Sequence, residues 1–133
     1  MRILTFILLL VFPFIVNGQG FNIVADCCDD WAERICTTYS YNGANLVAGS
    51  TIQINDENIS QVSNSYDANG NLTAKTNRIW NGTAWVIMDQ VTTSYNAAGQ
   101  ITGQTVKTGD GMGGVVNVTQ VSNSYDTNGH LSA

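Results

Sequence analysis

The chain has 133 residues, with 5 Lys/Arg against 10 Asp/Glu for a formal net charge of −5, 13 glycines, one proline and 3 cysteines. That length is one domain's worth. So acidic a chain has no electrostatic footprint for a phosphate backbone or an anionic membrane surface, which argues against nucleic-acid binding.

Residues 1–20, MRILTFILLLVFPFIVNGQG, set one cation at Arg2 before an apolar run over 3–16, followed by small and polar residues. This is the three-part layout of a secretory signal peptide. Val16 and Gly18 supply small residues at the −3 and −1 positions, so cleavage is expected after Gly18, with Gly20 as second choice. The apolar run is shorter than the roughly 20 residues that span a bilayer, so no membrane span is expected once the leader is removed. Secretion or display at the cell surface follows. The mature chain from Gln19 carries four Lys/Arg against ten Asp/Glu, a charge of −6.

Residues 19–30 read as an acidic, cysteine-containing lead-in to a repeat region over 31–133. Cys27, Cys28 and Cys36 lie within ten residues of one another. Export permits a disulfide. Neighbouring cysteines rarely bridge each other, so Cys36 is expected to pair with Cys27 or Cys28, with one thiol left over. No metal is expected, because a zinc site wants four ligands and no histidine is near in sequence. Asp26, Asp29, Asp30 and Glu33 could supply a carboxylate pair for sugar cleavage, but four acids within eight residues read as a solvated run.

Beyond the lead-in no apolar stripe of helical period and length occurs, and Thr, Ser, Asn and Val abound. The reading is all-β, an antiparallel meander of repeated long β-hairpins. The decisive feature is recurrence: QVSNSYDANGNL at 61–72 returns as QVTTSYNAAGQI at 90–101 and QVSNSYDTNGHL at 120–131, in steps of 29 and 30, the first and third agreeing at ten of twelve positions. Each copy predicts a three-residue hairpin loop, a type I turn followed by a left-handed residue. Asp67 would open the turn and accept from a backbone N–H two residues on, and Gly70 would take the left-handed position. Tyr66 then opposes Leu72, an aromatic–aliphatic cross-strand pair of roughly 0.2–1 kcal/mol. Tyr95, Gly99 and Ile101 repeat it, as do Tyr125, Asp126, Gly129 and Leu131. The earlier TTYSYNGANL, residues 37–46, has one residue fewer between Tyr41 and Leu46. It predicts a two-residue type II′ loop with Gly43 first, pairing Tyr41 with Leu46.

The opposite ends of the hairpins are expected at INDENI (54–59), at Asn81-Gly82 and at TGDGMGGV (108–115). Asn-Gly is the strongest short hairpin signal and puts Trp80 and Trp85 on one face. Trp31 precedes Tyr41 by ten residues, as Trp85 precedes Tyr95, so the N-terminal segment would join the same series. Counting by twos gathers the Tyr and Leu/Ile of each copy with Val62, Val91, Val121, Trp80, Trp85 and Ile87 on one face, which needs a cover. Arg78 and Asp89 fall on the same side, and Lys75 on the other. The chain stops two residues after Leu131, where a return strand is due. An open edge there would invite another chain or self-association, whether the chain is part of a longer array or is completed by a neighbour.

The residues YDANGNLT (66–73), YNAAGQIT (95–102) and YDTNGHL (125–131) resemble the YD-repeat, or RHS-type, family, whose core is Tyr-Asp-x-x-Gly-x-Leu/Ile-Thr. WNGTAW followed by the tyrosine strand also looks like secreted repeat proteins of Bacteroidetes-type bacteria. The likeness covers about 31–133. It implies an extracellular or cell-surface β-repeat without catalytic residues or cofactors of its own, from a family whose long arrays enclose toxins or serve adhesion and carbohydrate contact. The units here are longer than many YD units, and the middle copy carries Asn96 in place of Asp.

Other chemistry is thin. The segment 67–71 has alternating oxygens like a calcium loop, but position 78 is Arg where an EF-hand type loop ends in glutamate. The glycine run at 108–114 lacks the lysine and helix of a phosphate cradle. His130, the only histidine, stands where the other copies have Asn71 and Gln100, with no orienting third group for a serine–histidine pair. Sequons at Asn58, Asn71, Asn81 and Asn117 would carry glycans only in a glycosylating pathway. Trp80 and Trp85 either cap the apolar face, the preferred reading because large aromatics dominate core burial, or offer a platform to a sugar ring. The expected function is an exported, non-catalytic β-repeat module with a structural or surface-interaction role; the alternative is a carbohydrate-binding module.

Overall fold

The computed structural model describes residues 22–29 and 33–132; the expected leader, Asp30 and Trp31 lie outside them. Ten strands and no helix occur among the described residues: β1 (Asn22–Asp29), β2 (Arg34–Tyr41), β3 (Val47–Ile54), β4 (Glu57–Tyr66), β5 (Leu72–Trp80), β6 (Trp85–Tyr95), β7 (Ile101–Gly109), β8 (Val115–Ser122), β9 (Ser124–Tyr125) and β10 (Leu131–Ser132). β1 to β8 form one eight-stranded sheet in chain order, and every pair is antiparallel. β9 continues β8 past Asn123 and pairs with β10. The meander is the one that the turn signals predict. The sheet also takes in residues 22–29, which composition set apart as a lead-in.

Nearly every hairpin contains a one-residue bulge, and the bulges recur with the repeat. Beside the first three tyrosine turns the register jumps by one on the outgoing strand: Ser65 faces Ala74 while Tyr66 faces Leu72, which leaves Thr73 over. Ala48 and Thr102 are left over in the same way. A second set leaves over Ile59, Met88 and Val118. Thr73 and Thr102 are the threonines that close the recurring motif.

A bulge inserts one residue and reverses the alternation beyond it. Directly opposed residues share a face, so the register settles which side each residue takes. Tyr66 and Leu72 lie on one face, with Val62, Val91, Ile79 and Val86; all five tyrosines of the chain stand on this tyrosine face. Ala74 begins the opposite alternation, which runs through Thr76 and Arg78 to Trp80. Trp80, Trp85 and Ile87 therefore stand on the other face, not among the apolar residues as counting by twos expects. Arg78 goes with them and Lys75 does not. Even counting fails here because the extra residues Thr73 and Met88 each shift the parity by one.

The sheet is a single layer. Among the described residues only Gly49, Cys36 (8% exposed) and Thr76 (6%) are buried. The cover expected over the apolar face is not supplied by the described residues. Cohesion therefore comes from the ladders, the turns and the cross-strand pairs. Near the N-terminal edge Cys36 is bonded to Cys27, its opposite number on β1, nine residues away. The sequence left Cys27 and Cys28 open as partners. The register decides, since Cys27 stands opposite Cys36 while Cys28 stands opposite Ile35.

Candidate functional site: the tyrosine ladder and the tryptophan face

The recurring residues first build the turns. Asp67 N–H donates to the Asn71 carbonyl at 3.0 Å and Gly70 N–H to the Asp67 carbonyl at 3.1 Å. Gly70, Gly99 and Gly129 hold φ of +85, +77 and +82°, the left-handed conformation that a Cβ disfavours. The Asp67 carboxylate accepts from the N–H groups of Asn69 and Asn71 and from Asn71 Nδ2, each at 2.9 Å. Asn96 does the same for the N–H groups of Ala98 and Gln100 at 3.0 Å, and Asp126 for those of Asn128 and His130 at 2.9 and 2.8 Å. These donors hold the Asp67 carboxyl below its ordinary 3.8, the Asn71 side-chain amide foremost and its backbone N–H next. The Asp126 carboxyl is lowered likewise, led by the backbone N–H of His130. Asn does the same work through its Oδ1 without a charge.

The first turn departs from its sequence reading. Tyr41 opposes Val47, not Leu46. Asn42 N–H donates to the Leu46 carbonyl at 2.9 Å, and Asn42 Oδ1 accepts from the N–H groups of Ala44 and Leu46. Asn45 takes the left-handed position at φ +60°. This turn has the same length and hydrogen bonding as the others. Asparagine tolerates that region, so Gly43 is not needed to make a tighter loop, and Leu46 is a turn residue.

The tyrosines then tie hairpin to hairpin, which sequence reasoning missed. Tyr66 Oη donates to the Val47 carbonyl at 2.8 Å, Tyr95 Oη to the Leu72 carbonyl at 3.0 Å and Tyr125 Oη to the Ile101 carbonyl at 2.9 Å. Each acceptor immediately precedes a bulge residue of the previous hairpin. Asn64 and Asn123, two places before their tyrosines, donate to the same Val47 and Ile101 carbonyls at 2.9 and 3.0 Å. In the middle copy Thr93 holds that place. The recurring Asn-Ser-Tyr was the available signal for this double donor.

At the opposite ends, Asn55 and Asp56 form a two-residue turn, both at positive φ, with Arg34 Nη1 3.1 Å from Asp56 Oδ1. Asn81 Oδ1 accepts from the N–H groups of Thr83 and Ala84, closing a four-residue loop in which Trp80 opposes Trp85. Their rings meet edge to face, with centroids 5.3 Å apart. Asp110 Oδ1 accepts from the N–H groups of Met112 and Gly114, so the glycine run is a hairpin loop of the same kind. His130 Nδ1 lies 3.3 Å from Asp126 Oδ2 on the exposed last turn.

Around the tryptophan pair the face is polar and flat. Arg78 Nη1 donates to Ser63 Oγ at 2.7 Å, and Gln90 Nε2 to Thr76 Oγ1 at 3.2 Å. Asp89 stands on the tyrosine face and accepts from Asn77 Nδ2 at 2.7 Å, so it makes no pair with Arg78. Beside Ser63, a shallow trough of about 260 Å³ lies over Gly49, lined among others by Thr38, Ser40, Thr51 and Gln61. A Cβ on Gly49 would come within 2.7 Å of the Val62 carbonyl, so the trough floor is bare backbone.

No family model, no curated protein and no solved structure matches this chain.

Proposed function

We propose that the chain is an exported, non-catalytic β-repeat module of the YD-repeat kind, with a structural or cell-surface interaction role. One observation carries the reading: the polar groups that recur in the motif are engaged in making the turns and in joining each hairpin to the next. The Asp or Asn of each copy serves its own turn, and each tyrosine serves the neighbouring hairpin. A sequence repeated for chemistry would direct those groups outward. The test is expression with the native leader in a bacterium, followed by N-terminal sequencing and surface proteolysis of intact cells. Gln19 as the first residue and protease-accessible protein support the reading; an intact leader on protein confined to the cytoplasm refutes it.

A second reading, carbohydrate contact through Trp80 and Trp85, is favoured by their place on the polar face. Half-buried indoles beside Arg78 and a row of hydroxyl and amide side chains are the mixture of apolar platform and hydrogen-bonding groups that a sugar ring takes. Adding glycans should then alter tryptophan fluorescence, and indoles insensitive to every glycan offered would leave the structural role by itself.

A further inference from the structure

The two faces differ in charge as well as polarity. In β3 to β8 the tryptophan face carries two charged residues, Arg78 and Lys107, and no carboxylate. Glu57 and Asp89, the carboxylates of those strands, stand on the tyrosine face. The remaining acids of this region, Asp56, Asp67, Asp110 and Asp126, lie in turns. In a chain of net charge −5, the tryptophan face of β3 to β8 thus has only positive charges among its strand residues.

That surface is also shaped to receive an extended ligand. The strand glycines Gly49 on β3 and Gly103 and Gly109 on β7 all fall on it, so its relief is low over two separate strands. Arg78 sits between Gln61 on β4 and Ile87 on β6, one alternate position from Trp80 along its own strand. Its contact with Ser63 Oγ fixes one edge of the guanidinium, and a guanidinium carries five N–H donors in a fork that matches a carboxylate. Lys107 opposes Gln90 on the next hairpin. Two strand spacings and one alternate position separate the cations, about 12 Å, more than one sugar ring spans.

We propose that the tryptophan face binds an acidic polysaccharide, laid across the strands with one sugar ring against Trp80 and Trp85, a carboxylate on Arg78 and a second acidic residue of the same polymer on Lys107. This rests on the carbohydrate-contact reading above. It adds that the ligand is anionic and that two cations separated across the sheet select it. Screening over about 8 Å at physiological ionic strength makes the contact salt-sensitive.

The experiment is titration of the purified protein with polygalacturonate and, separately, with a neutral β-glucan, followed by calorimetry and tryptophan fluorescence. Polygalacturonate should bind with a fluorescence change, weaken as salt rises, and weaken at least tenfold for Arg78→Gln and for Lys107→Gln. Lys75→Gln, on the tyrosine face, should bind like the parent. Circular dichroism of each variant checks that the sheet is intact. A Lys75→Gln loss as large as that of Arg78→Gln would overturn the proposal, since any cation would then serve. Equal binding of the neutral polymer with no effect of Arg78→Gln overturns it too, while leaving carbohydrate contact standing. Binding of neither polymer overturns both.

Discussion

Replacing Tyr95 by Phe isolates the ladder, because it removes one oxygen and keeps the ring. Tyr95 Oη donates to the Leu72 carbonyl at 3.0 Å, and Leu72 lies beyond the last residues that β5 pairs with β6, Ala74 and Thr92. A net hydrogen bond is worth about 1 kcal/mol, and a partly desolvated carbonyl that loses its donor raises the cost to about 1.5 kcal/mol. Tyr66→Phe removes the same group from the Val47 carbonyl, which keeps Asn64 Nδ2 at 2.9 Å. Its cost should be smaller, about 0.5 kcal/mol. Thr93→Asn should supply the Leu72 carbonyl with the second donor that the other copies have and stabilise the sheet by about 0.5 kcal/mol. Urea unfolding followed by circular dichroism and tryptophan fluorescence resolves these values: with a slope of about 2 kcal/mol per molar, Tyr95→Phe moves the midpoint down by about 0.75 M. If Tyr95→Phe leaves the midpoint in place, or Tyr66→Phe costs more, the hydroxyls do not join the hairpins.

The turn carboxylates set an acid limit. Asp67 and Asp126 have folded values below the ordinary 3.8, so their contribution is complete above about 3.8 and is lost as pH falls through the lowered values; the Asp67→Asn, Asp126→Asn double variant should lose less of its melting temperature between pH 7 and pH 2 than the parent. Gly70→Val should destabilise by at least about 1–2 kcal/mol through its left-handed backbone, whereas Gly70→Asn should cost less than about 1 kcal/mol, because Asn45 already holds that conformation in the first turn; thermal melts of the two proteins decide it. Opening the Cys27–Cys36 bond with reductant, or by Cys36→Ser, should cost about 2–3 kcal/mol for so short a loop, and hydrogen exchange should show the loss confined to β1 and β2.

Much of this molecule was legible before any coordinates. The spacing of Tyr, Asp or Asn, Gly and Leu or Ile is short-range chemistry: a left-handed glycine and a side-chain acceptor two residues before its donor specify a turn wherever they occur. The turns at 66–72, 95–101 and 125–131 and the order of the strands between them followed from that, while Cys36 as a bridging partner followed from the adjacency of Cys27 and Cys28. Asn45 escaped because asparagine and glycine serve the same backbone conformation, so scanning for glycine misjudged the length of the first loop. What only the tertiary structure decided is which face each residue takes and what crosses from hairpin to hairpin. A bulge is a property of two strands together, and one extra residue at Thr73 or Met88 moves Trp80, Trp85 and Arg78 to the far side of the sheet. The tyrosine hydroxyls reach their carbonyls only once neighbouring hairpins lie side by side. Local composition writes the reversals, and the register between strands, which no single segment contains, assigns the surfaces.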